Sequence, residues 1–172
     1  MRPRPAPTTP SGPAFTCAEP EPLSSGVVPT RGGVGGQSPT TLIAYASRTG
    51  TRRNLSALRD HGWRLIVSAA ACLRTEGFRY ALDNGAWSAY TRGRSFDEQA
   101  FDTALRRLGQ SADFTVIPDI VAGGLASLDL SLKWIGRVLD FSPQALLAVQ
   151  DGMEAKDVTT FLGEKVGLFV GG

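Results

Sequence analysis

The chain has 172 residues, which is enough for one domain with its own hydrophobic core. Its 42% hydrophobic and 20% charged residues are ordinary for a soluble globular protein, and a formal net charge of +2 is too small to indicate nucleic-acid binding by itself. No apolar run approaches the ~20 residues that span a bilayer and no secretory signal is recognisable, so we expect a cytoplasmic protein without a membrane partner.

Residues 1–40 have the composition of a disordered tail. They hold nine of the eleven prolines, and glycine, serine and threonine fill much of the rest. Such a segment cannot bury enough apolar surface to offset the entropy lost on ordering. We therefore expect the folded domain to cover residues 41–172.

Short apolar runs alternate with helical patterns over residues 41–172. Predicted strands cover 42–46, 63–68, 80–83, 114–117, 145–150 and 166–170. Predicted helices cover 52–61, 96–108, 127–139 and 155–162. The strands are apolar on both faces, which predicts a parallel α/β sheet covered by helices. Six β/α steps fit either an open doubly wound sheet or most of an eight-stranded barrel.

Two aspartates directly follow predicted strands. Asp83 precedes Asn84-Gly85, a pair that favours left-handed turn geometry. Asp119 follows Pro118, which holds the preceding backbone extended. Because the carboxyl ends of parallel strands share one edge, the two carboxylates could share acid/base work or bind the N–H edge of a heterocycle. The alternative interpretation is local, with Asp83 starting a turn and Asp119 capping the next element.

Further candidates lie near the ends of the third, fifth and sixth strands. Trp87 could stack on a flat base, although a tryptophan is more often part of a core. Gln150 offers a donor and an acceptor suited to the amide-like edge of a purine, although taken alone it is more simply a turn residue. Gly171-Gly172 would let backbone amides approach a ligand closely.

Arg48, Arg52 and Arg53 follow the first strand, at the same predicted edge. They could contact a phosphate, but a solvated helix start is the more usual meaning of such a run. Cys17 and Cys72 have no metal-ligand spacing, so we predict free thiols and no metal site in this chain. A Walker loop, a dinucleotide glycine fingerprint, a Gly-x-Ser-x-Gly motif and an HExxH motif are all missing, which removes the usual support for the corresponding enzyme classes.

Several short motifs occur in register across residues 41–172: Asp83-Asn-Gly-Ala-Trp-Ser88, Val-Ile-Pro-Asp119, Ser131-Leu-Lys-Trp134, Gln150-Asp-Gly152 and Val170-Gly-Gly172. In this order they resemble the tRNA-guanine transglycosylase superfamily of TIM barrels, and most of all its phage and bacterial branch, which inserts 7-deazaguanines into DNA. The family's third strand ends in Asp-Ser-Gly-Gly-aromatic-Gln. Asn84, Ala86 and Ser88 depart from that pattern and leave the base specificity open.

The resemblance implies a fold, a reaction and residue roles. The fold would be an incomplete TIM (β/α)8 barrel with about six of the eight β/α units. The reaction would be that of a pentosyltransferase, in which a carboxylate attacks C1′ of the sugar, guanine leaves and a 7-deazaguanine such as preQ0 replaces it. Asp83 would be the general acid/base, Asp119 and Gln150 would bind the pyrimidine edge of the base, Trp87 would stack on it, and Gly171-Gly172 would contact it through the backbone.

The resemblance also implies partners and missing parts. The partners would be a 7-deazaguanine base and nucleic acid, with DNA favoured over tRNA because the segments between strand ends are compact. A phage-encoded protein would act in the cytoplasm of its host. The family's nucleophilic aspartate ends strand eight and its zinc ligands lie further on, so we expect both beyond residue 172 and expect these residues alone not to complete the reaction.

Two other functions stay open. The chain could be a barrel fragment that binds a purine-like base or nucleic acid without catalysis. It could also belong to an unrelated class of TIM-barrel lyases or hydrolases that uses Asp83 and Asp119 as a carboxylate pair on a small molecule. That last function gives no special reason for Trp87 or for Gly171-Gly172.

Overall fold

Six parallel strands form one sheet in the computed structural model, which describes residues 42–48 and 51–170. The predicted tail over residues 1–40 and the Gly171-Gly172 pair lie outside the described residues. The strands are β1 Tyr45–Ser47, β2 Arg64–Ser68, β3 Tyr80–Asp83, β4 Thr115–Val116, β5 Ala145–Val149 and β6 Val166–Val170. Apart from β1, each strand lies within one residue of its predicted bounds, which confirms the α/β class with a parallel sheet.

The order of the strands in space follows their order in the chain. Each strand from β1 to β6 pairs with the next, and every pair is parallel. A doubly wound sheet reverses its strand order at a switch point. No reversal occurs over the described residues, so the winding runs in one direction from β1 to β6.

The first strand begins later than its apolar run. Sequence periodicity predicted a buried strand over 42–46, but the ladder with β2 begins at the pair Tyr45↔Arg64. Leu42 and Ile43 are exposed because β1 is an outer strand of the described sheet and has a hydrogen-bonded neighbour on one side only. The prediction is therefore wrong for residues 42–44.

Within the residues that the structure describes, five helices accompany the sheet: α1 Arg52–Asp60, α2 Ala86–Thr91, α3 Glu98–Leu108, α4 Leu125–Phe141 and α5 Ala155–Val158. Four of them confirm predicted helices, with a 3-10 turn over Thr159–Phe161 completing the last. The helix α2 was missed because its large side chains, Trp87 and Tyr90, point to solvent and give no buried stripe. No helix in the described parts of the chain is long and apolar enough to cross a membrane.

Side-chain caps fix where α1 and α3 begin. The Thr51 hydroxyl accepts a hydrogen bond from the Asn54 amide at 3.3 Å, and Asp97 accepts one from the Ala100 amide at 2.9 Å. Each cap satisfies one of the backbone donors left free in a first helical turn. His61, the last residue of the predicted helix, occupies the C-cap of α1.

The hydrophobic core lies between the sheet and the helices α3 and α4. Leu65, Leu82 and Leu147 of the strands are fully buried and belong to one cluster with Phe101 of α3. The Phe101 ring meets Trp134 of α4 edge-on, with 5.3 Å between ring centroids. Because these contacts join helices to three different strands, they hold the strand ends in register.

Ion pairs secure the amino edge of the sheet. The Asp113 carboxylate, two residues before β4, accepts hydrogen bonds from Arg79 at 2.6 Å and from the Tyr45 hydroxyl at 2.9 Å, and pairs with Arg64 at 3.0 Å. Burial acts to raise the pKa of Asp113, but the hydrogen bonds from Arg79 and Tyr45 and the charge of Arg64 outweigh it, so the pKa lies below its ordinary value. This carboxylate is a structural anion.

Leu105→Ala tests the core, and Leu125→Ala is its matched control. Leu105 is 0% exposed and Leu125 is 54% exposed, and both lie in helices. We expect Leu105→Ala to lower the free energy of unfolding by about 2–5 kcal/mol, because it removes buried methyl groups and leaves a cavity. Leu125→Ala should change it by about 0.5 kcal/mol or less. Urea denaturation followed by circular dichroism measures both, and equal losses would contradict this placement of the core.

Candidate functional site

The carboxyl ends of three neighbouring strands bring the main candidate side chains together. Asp83 is the last residue of β3, Asp119 lies three residues after β4, and Gln150 directly follows β5. With Asn84 and Trp87 they line a cavity of about 660 Å³, hereafter the site cavity. This volume falls in the range of small-molecule sites, roughly 300–1,000 Å³.

The turn after β3 requires glycine at position 85. Gly85 has φ of +86°, and a Cβ there would lie 2.8 Å from the Cβ of Ala70. Its amide donates to Asp83 Oδ2 at 3.0 Å, which holds the carboxylate at the end of the strand. The left-handed geometry predicted from Asn84-Gly85 is confirmed.

Asn84 is buried and connects β3 to β4. Its Nδ2 donates to the Ile117 carbonyl at 2.7 Å and to Asp119 Oδ1 at 2.6 Å, and its Oδ1 accepts from the Ala86 amide at 2.8 Å. The sequence predicted Asn84 as a turn residue and as a departure from the family motif, and neither prediction included a bond to Asp119. No local signal distinguishes a turn asparagine from one whose amide reaches a backbone carbonyl 33 residues further along the chain.

Gln150 connects β5 to the same carboxylate. Its Nε2 donates to Asp119 Oδ2 at 2.6 Å, and its Oε1 accepts from the Ala122 amide at 3.0 Å. Ala122 has φ of +57°, an uncommon conformation for a residue with a side chain. Gln150 therefore holds both Asp119 and the loop that follows it.

Asp119 and Gln150 keep bonding capacity for a ligand. A carboxylate offers about four lone-pair directions, and each Asp119 oxygen accepts one side-chain amide bond. Gln150 uses one hydrogen of its Nε2 and one lone pair of its Oε1 in these bonds, so the second hydrogen and the second lone pair are left for a ligand. The network can therefore position these groups and leave them able to bind.

The two site carboxyls have raised pKa values. Burial raises the pKa of Asp83, against hydrogen bonding from Ser68 and Gly85. Burial also raises the pKa of Asp119, where Asn84 lowers it and the neighbouring charge of Asp83 raises it further. Neither carboxyl forms an ion pair with a described residue. This contrasts with Asp113 and is the pattern expected of acid/base groups.

Trp87 lies at the wall of the site cavity. It is in the first turn of α2 and lines the cavity, yet its side chain is 62% exposed. Its ring centroid lies 5.8 Å from that of Tyr90. The exposed face makes stacking on a bound ring sterically available, and it excludes the simpler interpretation that Trp87 is a core residue.

The arginine cluster does not line the site cavity. Arg48 donates to Glu76 Oε1 at 2.8 Å through its Nη2 and at 3.1 Å through its Nε. That pairing makes the predicted phosphate contact unavailable to Arg48 unless the ion pair opens. Arg52 and Arg53 are exposed in the first turn of α1. Their predicted phosphate contacts stay predictions.

The motif that includes Ser131 and Trp134 supports the site from α4. The buried Ser131 hydroxyl donates to the Pro118 carbonyl at 2.8 Å, directly before Asp119. The Ser127 hydroxyl accepts from the Ile120 amide at 2.9 Å, directly after it. Trp134 packs in the core against Phe101. Ser131 and Ser127 therefore hold the backbone on both sides of Asp119.

Gly171-Gly172 fall outside the described residues, so their predicted backbone contacts stay predictions. Val170, the last residue of β6, lines the site cavity, which places the end of that strand at the site. Over residues 42–48 and 51–170 no group of three His, Cys, Asp or Glu side chains could hold a metal ion. Cys72 is exposed and not in a disulfide.

No protein-family model, curated protein or solved structure matches this chain.

Asp83→Asn tests the raised pKa of the site. A folded-state pKa above the ordinary 3.8 means that the native protein is stabilised by protonation below that pH and loses this contribution as pH rises through the folded pKa. We expect Asp83→Asn to be more stable than the native chain near pH 7, and the difference to shrink as pH falls below 3.8. Urea denaturation over a pH series measures it.

Asp129→Asn, at an exposed position on α4, is the control and should change the free energy of unfolding by about 0.5 kcal/mol or less at each pH. If Asp83→Asn were destabilising by the same amount at every pH, Asp83 would be a turn residue alone.

Proposed function

We propose that this protein belongs to a transglycosylase that exchanges guanine in nucleic acid, DNA in preference to tRNA, for a 7-deazaguanine base such as preQ0. One observation carries the proposal: two carboxyls with raised pKa values, the half-buried Asp83 and the buried Asp119, meet the amide of Gln150 at one cavity. They come from three adjacent parallel strands, at the edge where α/β folds bind ligands.

The strand order supports the proposal of a barrel fold. Crossovers between parallel strands are right-handed in nearly all proteins. When strand order also follows chain order, every helix falls on the same face of the sheet, as in a (β/α)8 barrel. The described strands would then supply about six of the eight units.

The bonding capacity of Asp119 and Gln150 matches the edge of a guanine-like base. Such an edge presents the N1–H and 2-amino donors beside the O6 acceptor. The free lone pairs of Asp119 would accept from the two donors, and the remaining hydrogen of Gln150 Nε2 would reach O6. Trp87 would cover one face of the ring.

Asp83 would be the acid/base group at the glycosidic bond. Its raised pKa keeps a proton available at higher pH than an ordinary aspartate does, which suits proton transfer to a leaving base and from an entering one. The nucleophile and the zinc ligands that the resemblance implies are not assigned to any residue of this chain. The described residues do not fit a zinc site, so no step of this mechanism uses one.

A second candidate is a lyase or hydrolase that acts on a small molecule. The observation that favours it is the charge interaction between Asp83 and Asp119, which is typical of carboxylate pairs that share acid/base work. It requires no nucleic acid. Activity on a small substrate without any polynucleotide would favour it over base exchange.

Base binding tests the role of Asp119. We expect the chain to bind preQ0 or guanine by titration calorimetry, and Asp119→Ala to weaken binding by roughly 10–100-fold, because the ring donors lose their acceptor. Asp129→Ala, which removes an exposed carboxylate elsewhere, should bind as the native chain does. Absence of heat with both bases would remove base recognition from the proposal.

Base exchange tests the role of Asp83. In the full-length protein we expect deazaguanine-dependent replacement of guanine in DNA, and we expect Asp83→Asn to lower its rate by roughly 10²–10⁴-fold while preQ0 still binds. Asp129→Asn serves as the control. Exchange at the native rate in Asp83→Asn, or unimpaired exchange in Asp119→Ala, would refute the assigned roles.

A further inference from the structure

Two exposed aromatic rings lie on α2, directly beside the site cavity. Trp87 is 62% exposed and Tyr90 is 56% exposed, and their ring centroids lie 5.8 Å apart. Residues three apart share one face of a helix, so the rings form a continuous aromatic surface. An exposed apolar surface of this kind usually marks a binding site.

Two arginines follow at the end of the same helix. Gly93, with φ of +62°, ends α2, and the Arg94 amide returns to the Ala89 carbonyl at 2.9 Å while the Gly93 amide donates to the Tyr90 carbonyl at 3.0 Å. In this Schellman geometry the backbone at Arg94 folds back onto the last turn of α2. Both arginines are exposed, and neither forms an ion pair with any residue that the structure describes.

Arg92 and Arg94 line a second groove, of about 820 Å³, on the other side of α2 from the site cavity. Small side chains form much of its surface, among them Ala69, Ala70 and Ala89. Asp97 and Glu98 of α3 also line the groove, and the Asp97 carboxylate caps its own helix. Because the acids belong to α3 and the arginines to the end of α2, an anion would bind on the α2 side.

We propose that one surface binds the nucleotides that flank the target on a single nucleic-acid strand. This surface, hereafter the α2 surface, consists of Trp87, Tyr90, Arg92 and Arg94. The inference rests on the proposed function and assigns the path of its polymer. An extended strand would leave its target base in the site cavity and stack the adjacent base on Tyr90. It would then cross the C-terminal end of α2, so that the following phosphates lie in the second groove against Arg92 and Arg94. Aromatic rings that stack on bases and cations that contact phosphates are the usual components of a single-strand site.

The probe is a fluorescently labelled oligothymidylate. It contains no guanine, so its binding reports contacts outside base exchange. We expect the full chain to bind it by fluorescence anisotropy and Tyr90→Ala to weaken binding about tenfold, because one stacked base is lost. Tyr90→Phe keeps the ring and should restore the affinity.

Arg92→Gln/Arg94→Gln tests the phosphate contacts. Loss of two contacts should lower the slope of log affinity against log salt by about 1.4, at about 0.7 per phosphate on a single strand. Arg107→Gln/Lys165→Gln is the matched control. It removes the same charge from exposed positions that precede β4 and β6, at the opposite edge of the sheet, and should leave the slope unchanged.

Three results would overturn the inference. The first is native affinity for oligothymidylate in both Tyr90→Ala and the Arg92→Gln/Arg94→Gln variant, and the second is an equal loss of salt slope in the control variant. The third is a dimer that dissociates in Tyr90→Ala while oligothymidylate binding stays the same.

The proposed function can fail independently of this inference. If oligothymidylate binding depends on Tyr90 but guanine and preQ0 do not bind, the α2 surface stands and base exchange falls. If guanine and preQ0 bind but Tyr90→Ala leaves oligothymidylate binding unchanged, the proposed function stands and the α2 surface is refuted.

Discussion

Both carboxylate oxygens of Asp119 accept hydrogen bonds from side-chain amides, and the geometry of the candidate site depends on these two bonds. Asn84 reaches Asp119 from the end of β3 and Gln150 reaches it from the end of β5, each at 2.6 Å. A buried carboxyl needs such donors because it has lost most of its water. The same bonds set the direction of the carboxyl and, through Ala122, the course of the loop after it. A polar network therefore shapes the site, while apolar packing of α3 and α4 fixes the strands that present it.

The acidic residues at the two edges of the sheet differ in their ion pairing and in the direction of their pKa shifts. At the amino edge, Asp113 is neutralised by Arg64 and Arg79, and its pKa is lowered. At the carboxyl edge, Asp83 and Asp119 have no cationic partner among the described residues, and their pKa values are raised. The first arrangement favours folding, whereas the second costs stability at neutral pH and leaves two carboxyls at a cavity without a cationic partner among the described residues. Carboxyls with pKa values raised in this way are found more often at functional sites than elsewhere.

Much of the fold could be predicted because its signals are local. Over the described residues, five of the six strands and four of the five helices follow from apolar periodicity. The left-handed conformation of Gly85 follows from the turn chemistry of Asn-Gly. The helix α2 could not be predicted, since the side chains that would reveal a helix by their burial, Trp87 and Tyr90, face solvent. Of the candidate site, the positions of Asp83, Asp119 and Gln150 at one edge could be predicted, because parallel strands end together.

The sequence by itself determined the class of the fold and which polar residues end its strands. Those properties depend on neighbours along the chain, through hydrophobic period, proline and glycine. Only the tertiary structure decided what each polar residue does. It showed that Asn84 is a buried bridge, that Arg48 is paired with Glu76, and that Trp87 is an exposed wall of the site. These roles depend on residues that are distant in sequence. A hydrogen bond between such residues, or the solvent exposure that they set, produces no periodic pattern along the chain.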